Sequence, residues 1–266
     1  MNYSITSLHT YPIKSLSGVS LKSTLLSNQG LKYDRYWMLI DEDGVAYTQR
    51  DNPLLALFKV ELSSNGVVVK YKEESISIPF KKTTQNEKTA VKLWKNNLIA
   101  LKELDVFSEW FSDLLSKKLF LVRPDTDNIR LTNNHPDAVV NFPDSNQFLV
   151  LGKNAMKQLN EKMDAPLDIN RFRSNITFSG GTPHIEDEWT QFSIGDASFE
   201  MTKPCARCSM TTINQTTADK GLEPIRSLVK YRRLNNAICF GSYAKLLKGE
   251  GVTISVGDKI SIKNIH

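Results

Sequence analysis

Residues 57–78 read LFKVELSSNGVVVKYKEESISI. Alternating, β-branched runs at 57–63 and 67–72 flank Ser64-Asn65-Gly66, and a third run at 75–78 follows within a few residues. An Asn-Gly pair between alternating apolar runs is a strong short-range hairpin signal. Working outward, the same pattern recurs at 4–9, 19–26 and 36–41, with Glu42-Asp43-Gly44 as a second tight turn. Many short strands joined by tight turns predict a small antiparallel barrel or sandwich. A flat sheet belonging to one larger domain fits the strand pattern equally well.

Beyond residue 100 the periodicity changes. Over 106–118, Val106, Phe107, Trp110, Phe111, Leu114 and Leu115 fall on one face at 3.6-residue spacing, with Asp105 placed to begin a helix. A strand is expected at 118–122. The polar segment 123–143, rich in Asn, Asp and Pro, reads as a long loop, and long ordered loops are often functional. The division falls there: 1–123 as an N-terminal domain and 124–266 as a second. The second half is expected to hold strands at 147–151, 175–179, 191–194, 198–202 and 209–213. A helix at 153–163 turns Ala155, Met156, Leu159 and Met163 inward. Another at 223–234 buries Ile225, Leu228 and Val229 while exposing Arg226, Lys230, Arg232 and Arg233. Short closing strands turn at Gly251 and Gly257. The expected fold class is mainly β with covering helices (α+β).

Composition narrows the function. The 266 residues are 40% hydrophobic and 24% charged, an ordinary globular balance. Three cysteines exclude a disulfide scaffold, and four dispersed histidines leave little material for a histidine-rich metal site. The formal charge of +5, from 34 Lys and Arg against 29 Asp and Glu, is mild. No basic stripe with interleaved aromatics appears, so nucleic acid is not an expected partner. The N-terminus lacks the basic lead-in and apolar stretch of a signal peptide, and no run approaches the roughly 18 apolar residues that span a bilayer. A cytoplasmic chain with no membrane partner is expected.

The chemically densest run is Lys203-Pro204-Cys205-Ala206-Arg207-Cys208. A cysteine acts as nucleophile or metal ligand only as thiolate, and Lys203 and Arg207 flank Cys205 closely enough to favour that form if they point the same way. Pro204 fixes the backbone just before it. Two buried small hydrophobes on a strand are one reading. A zinc half-site lacks two further ligands, with only Cys239 and isolated histidines left. A thioredoxin-like pair belongs at a strand-to-helix junction, whereas this one leads into an expected strand. A single exposed thiolate remains, as ligand or nucleophile.

A second group suits an anion. Lys14 and Ser15 follow the first strand in Tyr11-Pro12-Ile13-Lys14-Ser15, and Arg35 precedes the third in Asp34-Arg35-Tyr36-Trp37. Arg171 and Arg173, two apart and on one face if extended, precede Asn175. Arginine offers phosphate two parallel charge-assisted hydrogen bonds. Taken singly, each also fits a solvated surface charge. Asp144-Ser145-Asn146 ends the long loop and equally suits a turn or helix cap.

Together these motifs carry a resemblance. Tyr11–Ser15, the 30–37 segment with its Asp-Arg-Tyr-Trp, and Thr48-Gln49-Arg50 resemble the β-barrel domain that precedes MOSC domains. The 171–175 segment, the Cys205–Cys208 run, Phe240-Gly241-Ser242-Tyr243 and Val256-Gly257-Asp258 resemble the MOSC domain itself, named for the molybdenum cofactor sulfurase C-terminal domain. The match covers essentially the whole chain, in order, and includes the mitochondrial amidoxime-reducing components and their bacterial relatives. It implies an N-terminal small β-barrel plus a β-barrel-like MOSC domain that binds the molybdenum cofactor, a Mo-pyranopterin.

By that resemblance Cys205 is the thiolate ligand to molybdenum and the catalytic centre. Lys14, Ser15, Arg35, Arg173 and Asn175 would hold the pterin and its phosphate, with Asp144, Ser145 and Asn146 nearby. Lys203, Pro204, Ala206 and Arg207 would line the ligand loop, and Cys208 matches a second family cysteine not assigned to the metal. The mitochondrial members carry an N-terminal membrane anchor, whereas this sequence enters its first strand at once. Some bacterial members append a ferredoxin-like domain. Three cysteines cannot hold its iron–sulfur cluster, and no zinc is expected. The implied activity is reduction of a small N-hydroxylated substrate, with electrons from a separate ferredoxin-, flavoprotein- or cytochrome-type donor. Arg50 and the 128–141 loop are candidate substrate contacts. Two rivals stand beside it: a sulfur carrier or transferase using a Cys205 persulfide, and a non-catalytic cofactor carrier.

Overall fold

The computed structural model describes residues 2–81, 87–132 and 135–265. The Asn-Gly turn forms as read. Ser63 N–H donates to the Gly66 carbonyl at 2.9 Å, and Gly66 N–H to Ser63 Oγ at 3.0 Å. Lys59–Leu62, Gly66–Tyr71 and Glu74–Pro79 then pair antiparallel. Val67, Val69 and Tyr71 point inward, as a period of two requires. Only glycine fits at position 66, where a Cβ would lie 2.1 Å from the Ile78 carbonyl oxygen. A four-stranded sheet, ordered Met38–Ile40, Phe120–Pro124, Asn96–Lys102, Lys88–Leu93, completes an open half-barrel.

The closed barrel belongs to the second half. Seven strands form its ring: Phe148–Gly152, Ile176–Ser179, Tyr3–Thr10, Lys259–Ile265, Trp189–Ile194, Ala197–Ala206 and Ala237–Lys248, which pairs back onto the first. The chain's first strand is therefore a stave of this barrel. Phe148–Gly152 and Ile176–Ser179 run parallel, which demands a crossover, and the helix Lys153–Asn160 supplies it. Phe148, Phe178, Trp189, Phe192 and Phe199 fill the interior. The class is mainly β with covering helices.

Four local expectations fail for physical reasons. Val106 is 54% exposed, so the buried face of helix Asp105–Leu115 rests on Phe107, Phe111 and Leu115. The 123–143 segment is no open loop: Arg130–Thr132 and His135–Val140 pair antiparallel, an alternation hidden by Asn and Pro. Asn133, Asn134 and His266 lie outside the described residues. Residues 209–213 are not a strand. Thr211 and Thr212 hydroxyls donate to the carbonyls of Cys208 and Ser209 at 2.9 and 2.8 Å, favouring the 3-10 turn Ser209–Thr212. The 223–234 helix shrinks to Ile225–Leu228 because Arg232 turns inward. Its guanidinium pairs with Asp187 and donates to the Cys239 carbonyl, while Val229 is exposed.

Beside Arg232, Glu186 is 1% exposed, and burial pushes its carboxyl up to about 7. Oε1 accepts the Gly152 N–H at 3.2 Å, and Oε2 has no hydrogen-bond partner among the described residues. The folded chain keeps this proton up to about pH 7, whereas the unfolded carboxyl releases it near 4.5. The stability contributed below pH 4.5 is therefore lost as the pH rises from about 4.5 to about 7. Glu186→Gln keeps the Gly152 bond and removes the slope. Thermal melts at pH 8 should show the variant more stable by about 3 kcal/mol, with the gap closing near pH 4.5; a constant gap would mean that Glu186 does not titrate in this range.

Candidate functional site

One cavity lies where the half-barrel meets the closed barrel. Lys14, Ser15, Arg35, Asp144, Ser145, Asn146, Arg173, Asn175, Cys205, Ala206 and Arg207 all line it, joined by Arg171, Phe172, Cys208, Thr211 and Tyr243. Lys203 and Pro204 stand outside; both are exposed, because register slips on either side of them break the strand's alternation. Among the described residues, nothing from 128–141 lines the cavity. Arg130 instead underlies its rim, donating to the carbonyls of Asn141 and Pro143 at 3.3 and 2.6 Å.

Backbone geometry aims the cationic side chains. The loop after Tyr3–Thr10 lies along 35–37, Lys14 N–H donating to the Trp37 carbonyl at 2.7 Å and Trp37 N–H to that of Pro12 at 2.9 Å. Ser15, Arg35 and Arg173 each take left-handed φ, at 70°, 45° and 56°. Such strain in non-glycine residues concentrates at ligand sites. Arg171 and Arg173 are not extended: Ile169–Phe172 is a 3-10 turn ending on left-handed Arg173. Arg35 and Arg173 both lie over the Tyr11 ring, 4.3 and 4.2 Å from its centroid. Gly18 makes room for that ring, since a Cβ there would meet Tyr11 Cε1 at 2.5 Å.

Charge is unbalanced in the lining. Lys14, Arg35, Arg171, Arg173 and Arg207 face one carboxylate, Asp144. Behind the wall Asp34 holds Arg35 at 2.5 Å. Burial, then the like charge of Arg35, pulls Arg173 down to about 10. Burial also lowers Lys14 to about 8 against the pull of Asp144. Asp144 sits at the rim, its side chain 39% exposed, and collects Lys14 Nζ, Arg50 Nη2 and Trp94 Nε1, the last two at 3.2 Å. Enclosure works against its ionisation, but the Lys14 and Arg50 charges outweigh that and hold the carboxyl well below the usual carboxylate range.

Cys205 is 2% exposed, so the exposed thiolate of the sequence reading is corrected: its sulfur meets the cavity from within the wall, and Cys208 is the exposed one. Arg207 Nη1 donates to Cys205 Sγ at 2.9 Å and Nη2 to the Phe172 carbonyl at 2.9 Å, while its buried Nε has no partner among the described residues. Burial opposes the Arg207 charge, but Cys205, Tyr243 and Cys208 more than offset this. The Tyr243 hydroxyl is raised well above its ordinary value by burial and by Cys205. Asn175 is occupied by the fold: its side chain accepts from Leu149 N–H at 3.1 Å and donates to the His9 carbonyl at 3.2 Å. It positions Arg35 more than it awaits a ligand.

Sequence reading passed over Tyr243, Trp94 and Gln49 as individual site residues. Gln49 is fully buried, donates to the Ser15 carbonyl at 2.6 Å, and exchanges hydrogen bonds with Gln215 at 3.1 and 2.9 Å. That pair ties the half-barrel to the segment following Cys208. Its signal in the sequence is the Thr48-Gln49-Arg50 motif.

The fold and site define a two-part β protein with a cationic, thiol-bearing cavity at the seam of its halves. Residues 2–118 match the MOSC N-terminal beta barrel domain and residues 137–261 the MOSC domain; the chain belongs to the family that joins the two. It is 28% identical over 287 residues to a molybdenum cofactor sulfurase of Oryza sativa subsp. japonica, covering 94% of this chain and 34% of that protein. Against the molybdenum cofactor sulfurase of Danio rerio it is 28% identical, covering 90% and 31%. The chain thus spans about a third of the length of these curated relatives. Among solved structures, the YUAD protein from Bacillus subtilis aligns over 99% of this chain and 98% of its own, with 11% identity and a TM-score of 0.43. Among the described residues no helix is long and apolar enough to cross a membrane.

Proposed function

We propose that the cavity binds the molybdenum cofactor and that the chain uses it to reduce N-hydroxylated compounds, with electrons from a separate donor protein. The observation that carries this reading is the convergence of five cations and two cysteines, Cys205 and Cys208, on a cavity with a single lining carboxylate. Burying like charges without partners costs several kcal/mol unless an anion joins them. A pterin phosphate is such an anion, and thiolate suits a soft metal. Among the described residues no three His, Cys, Asp or Glu side chains cluster to hold a metal ion, so further ligands would have to come from the cofactor itself.

In this reading Cys205 ligates the metal, Arg35 and Arg173 seat the phosphate, and Arg207 orients the Cys205 sulfur. When bound, the cofactor supplies a metal that accepts the substrate's oxygen by changing oxidation state. Lys14, its pKa drawn down to about 8, holds a proton within the cavity at neutral pH. The test is the molybdenum and pterin content of protein made with intact cofactor biosynthesis. Wild type should carry near-stoichiometric metal and Cys205→Ala about tenfold less or lower. Equal metal in both would remove Cys205 from its role.

The sulfurase relatives favour one other reading, a Cys205 persulfide carrying sulfur for transfer. A mass gain of about 32 Da on Cys205, in protein lacking pterin, would support it against the first.

A further inference from the structure

A second cavity, of about 600 Å³, shares Arg171 and Arg173 with the first. Its volume is that of a small-molecule site. Three cations line it, Lys59, Arg171 and Arg173, with two acids, Glu61 and Asp168. Both acids are engaged. Glu61 holds Lys70 with each oxygen at 2.8 Å, and Asp168 Oδ1 accepts the Asn170 N–H at 2.7 Å as the cap of the 3-10 turn. The cations reach only backbone carbonyls: Lys59 Nζ that of Gln215 at 3.5 Å, Arg171 Nη1 that of Thr211 at 3.4 Å, and Arg173 Nη1 that of Leu16 at 2.7 Å. Arg173 is 9% exposed, yet among the described residues it uses one of the five N–H donors a guanidinium carries. The partly buried His9 imidazole also lines the space and has no hydrogen-bond partner among the described residues. Burial lowers its pKa against the pull of Asp168, so at neutral pH it is uncharged and donates from one ring nitrogen. An anion in the first cavity answers the two arginines but not Lys59 or His9, which lie outside that lining.

We propose that this second cavity is a ligand site of its own, built for a phosphate dianion, free or carried as a phosphomonoester by a small molecule. One guanidinium fork satisfies a carboxylate; two forks, an ammonium and an imidazole N–H call for the greater charge and the additional oxygens of phosphate. The remaining volume has polar groups for an organic part. Asn214 turns its oxygen to the Thr216 N–H at 2.9 Å, which leaves its amide NH2 free among the described residues, and the Ser20 and Thr216 hydroxyls line the same space. The site goes beyond the cofactor reading and stands without it. Where both hold, Arg173 serves an anion in either cavity, so the two ligands compete for one charge and each lowers the other's affinity by the same factor.

The experiment is equilibrium dialysis of the full-length, cofactor-free chain against radiolabelled inorganic phosphate, with glycerol 3-phosphate and glycerol as competitors. Wild type should bind a phosphate in each cavity. Lys59→Met should weaken one of them about tenfold, the loss of one charge-assisted contact, and Lys59→Arg should retain it. His9→Ala should weaken the same one, and Lys14→Met only the other. Glycerol 3-phosphate displacing the Lys59-dependent phosphate more strongly than unlabelled phosphate identifies an ester as the ligand; weaker displacement identifies free phosphate, and glycerol should displace neither. Binding that Lys59→Met and His9→Ala leave unchanged would overturn the proposal, as would no binding at all. A single phosphate lost with Lys59 but indifferent to Lys14 would keep this site and count against the cofactor cavity instead. Lys59 is exposed, so its variants should melt with wild type.

Discussion

Replacing Glu103 with alanine is expected to destabilise the chain by about 3–5 kcal/mol, the usual cost of stranding one member of a buried ion pair. Glu103 and Arg123 are paired with side chains 1% and 3% exposed. Trp37 Nε1 donates to the same carboxylate at 2.5 Å, and the Arg123 guanidinium also reaches the carbonyls of Phe80 and Pro79 at 3.1 and 3.3 Å. Alanine would leave that guanidinium buried against the rings of Tyr36 and Trp37 with no carboxylate beside it. The consequence reaches the cavity, because Trp37 backbone groups hold Lys14 and Pro12 in place. Urea unfolding monitored by tryptophan fluorescence measures the loss. The double change Glu103→Leu with Arg123→Met should recover much of it, since exchanging a buried pair for apolar bulk is often neutral. A loss under about 1 kcal/mol for Glu103→Ala would mean that water reaches the pair.

Glu103 also marks where sequence reading stops. Strands announced by period-two alternation and an Asn-Gly turn were legible because both signals are local. Ring closure was not, because it depends on the first strand pairing with residues near 177 and 260. Side chains facing inward against their type were equally hidden: Arg232, Arg130 and Glu186 look like surface charges until their partners are placed. At the cavity, Lys14, Arg35, Arg173 and Cys205 were readable as residue types suited to an anion and a soft metal. Their convergence depends on three left-handed residues, none a glycine, and the chain gave no local hint of those turns. Lys203 was misplaced for the related reason that strand bulges are invisible to alternation.

Arg173→Met separates a binding role from a structural one by the sign of its effect. Arg173 is 9% exposed, and among the described residues no carboxylate pairs with it. Its charge lies with that of Arg35 over one tyrosine ring, and burial with that neighbour draws its pKa down to about 10. In the ligand-free chain this charge is a cost. Methionine removes it while keeping most of the apolar stem, and gives up one hydrogen bond, Nη1 to the Leu16 carbonyl at 2.7 Å. A bond of that kind contributes about 1 kcal/mol, less than the several kcal/mol of an unpaired buried charge. The ligand-free variant should therefore melt at or above the wild-type temperature. Its affinity for inorganic phosphate, measured by calorimetry, should fall about 30-fold or more, the consequence of losing one partner of a buried charge contact worth about 2–5 kcal/mol. Residues kept for stability behave the other way: their loss lowers the melting temperature and leaves a distant ligand indifferent. If Arg173→Met melts several degrees lower while phosphate binds as before, the cationic wall is scaffolding and the anion belongs elsewhere. If stability holds and binding goes, the strained turn at residue 173 exists to present a charge that the fold alone does not need.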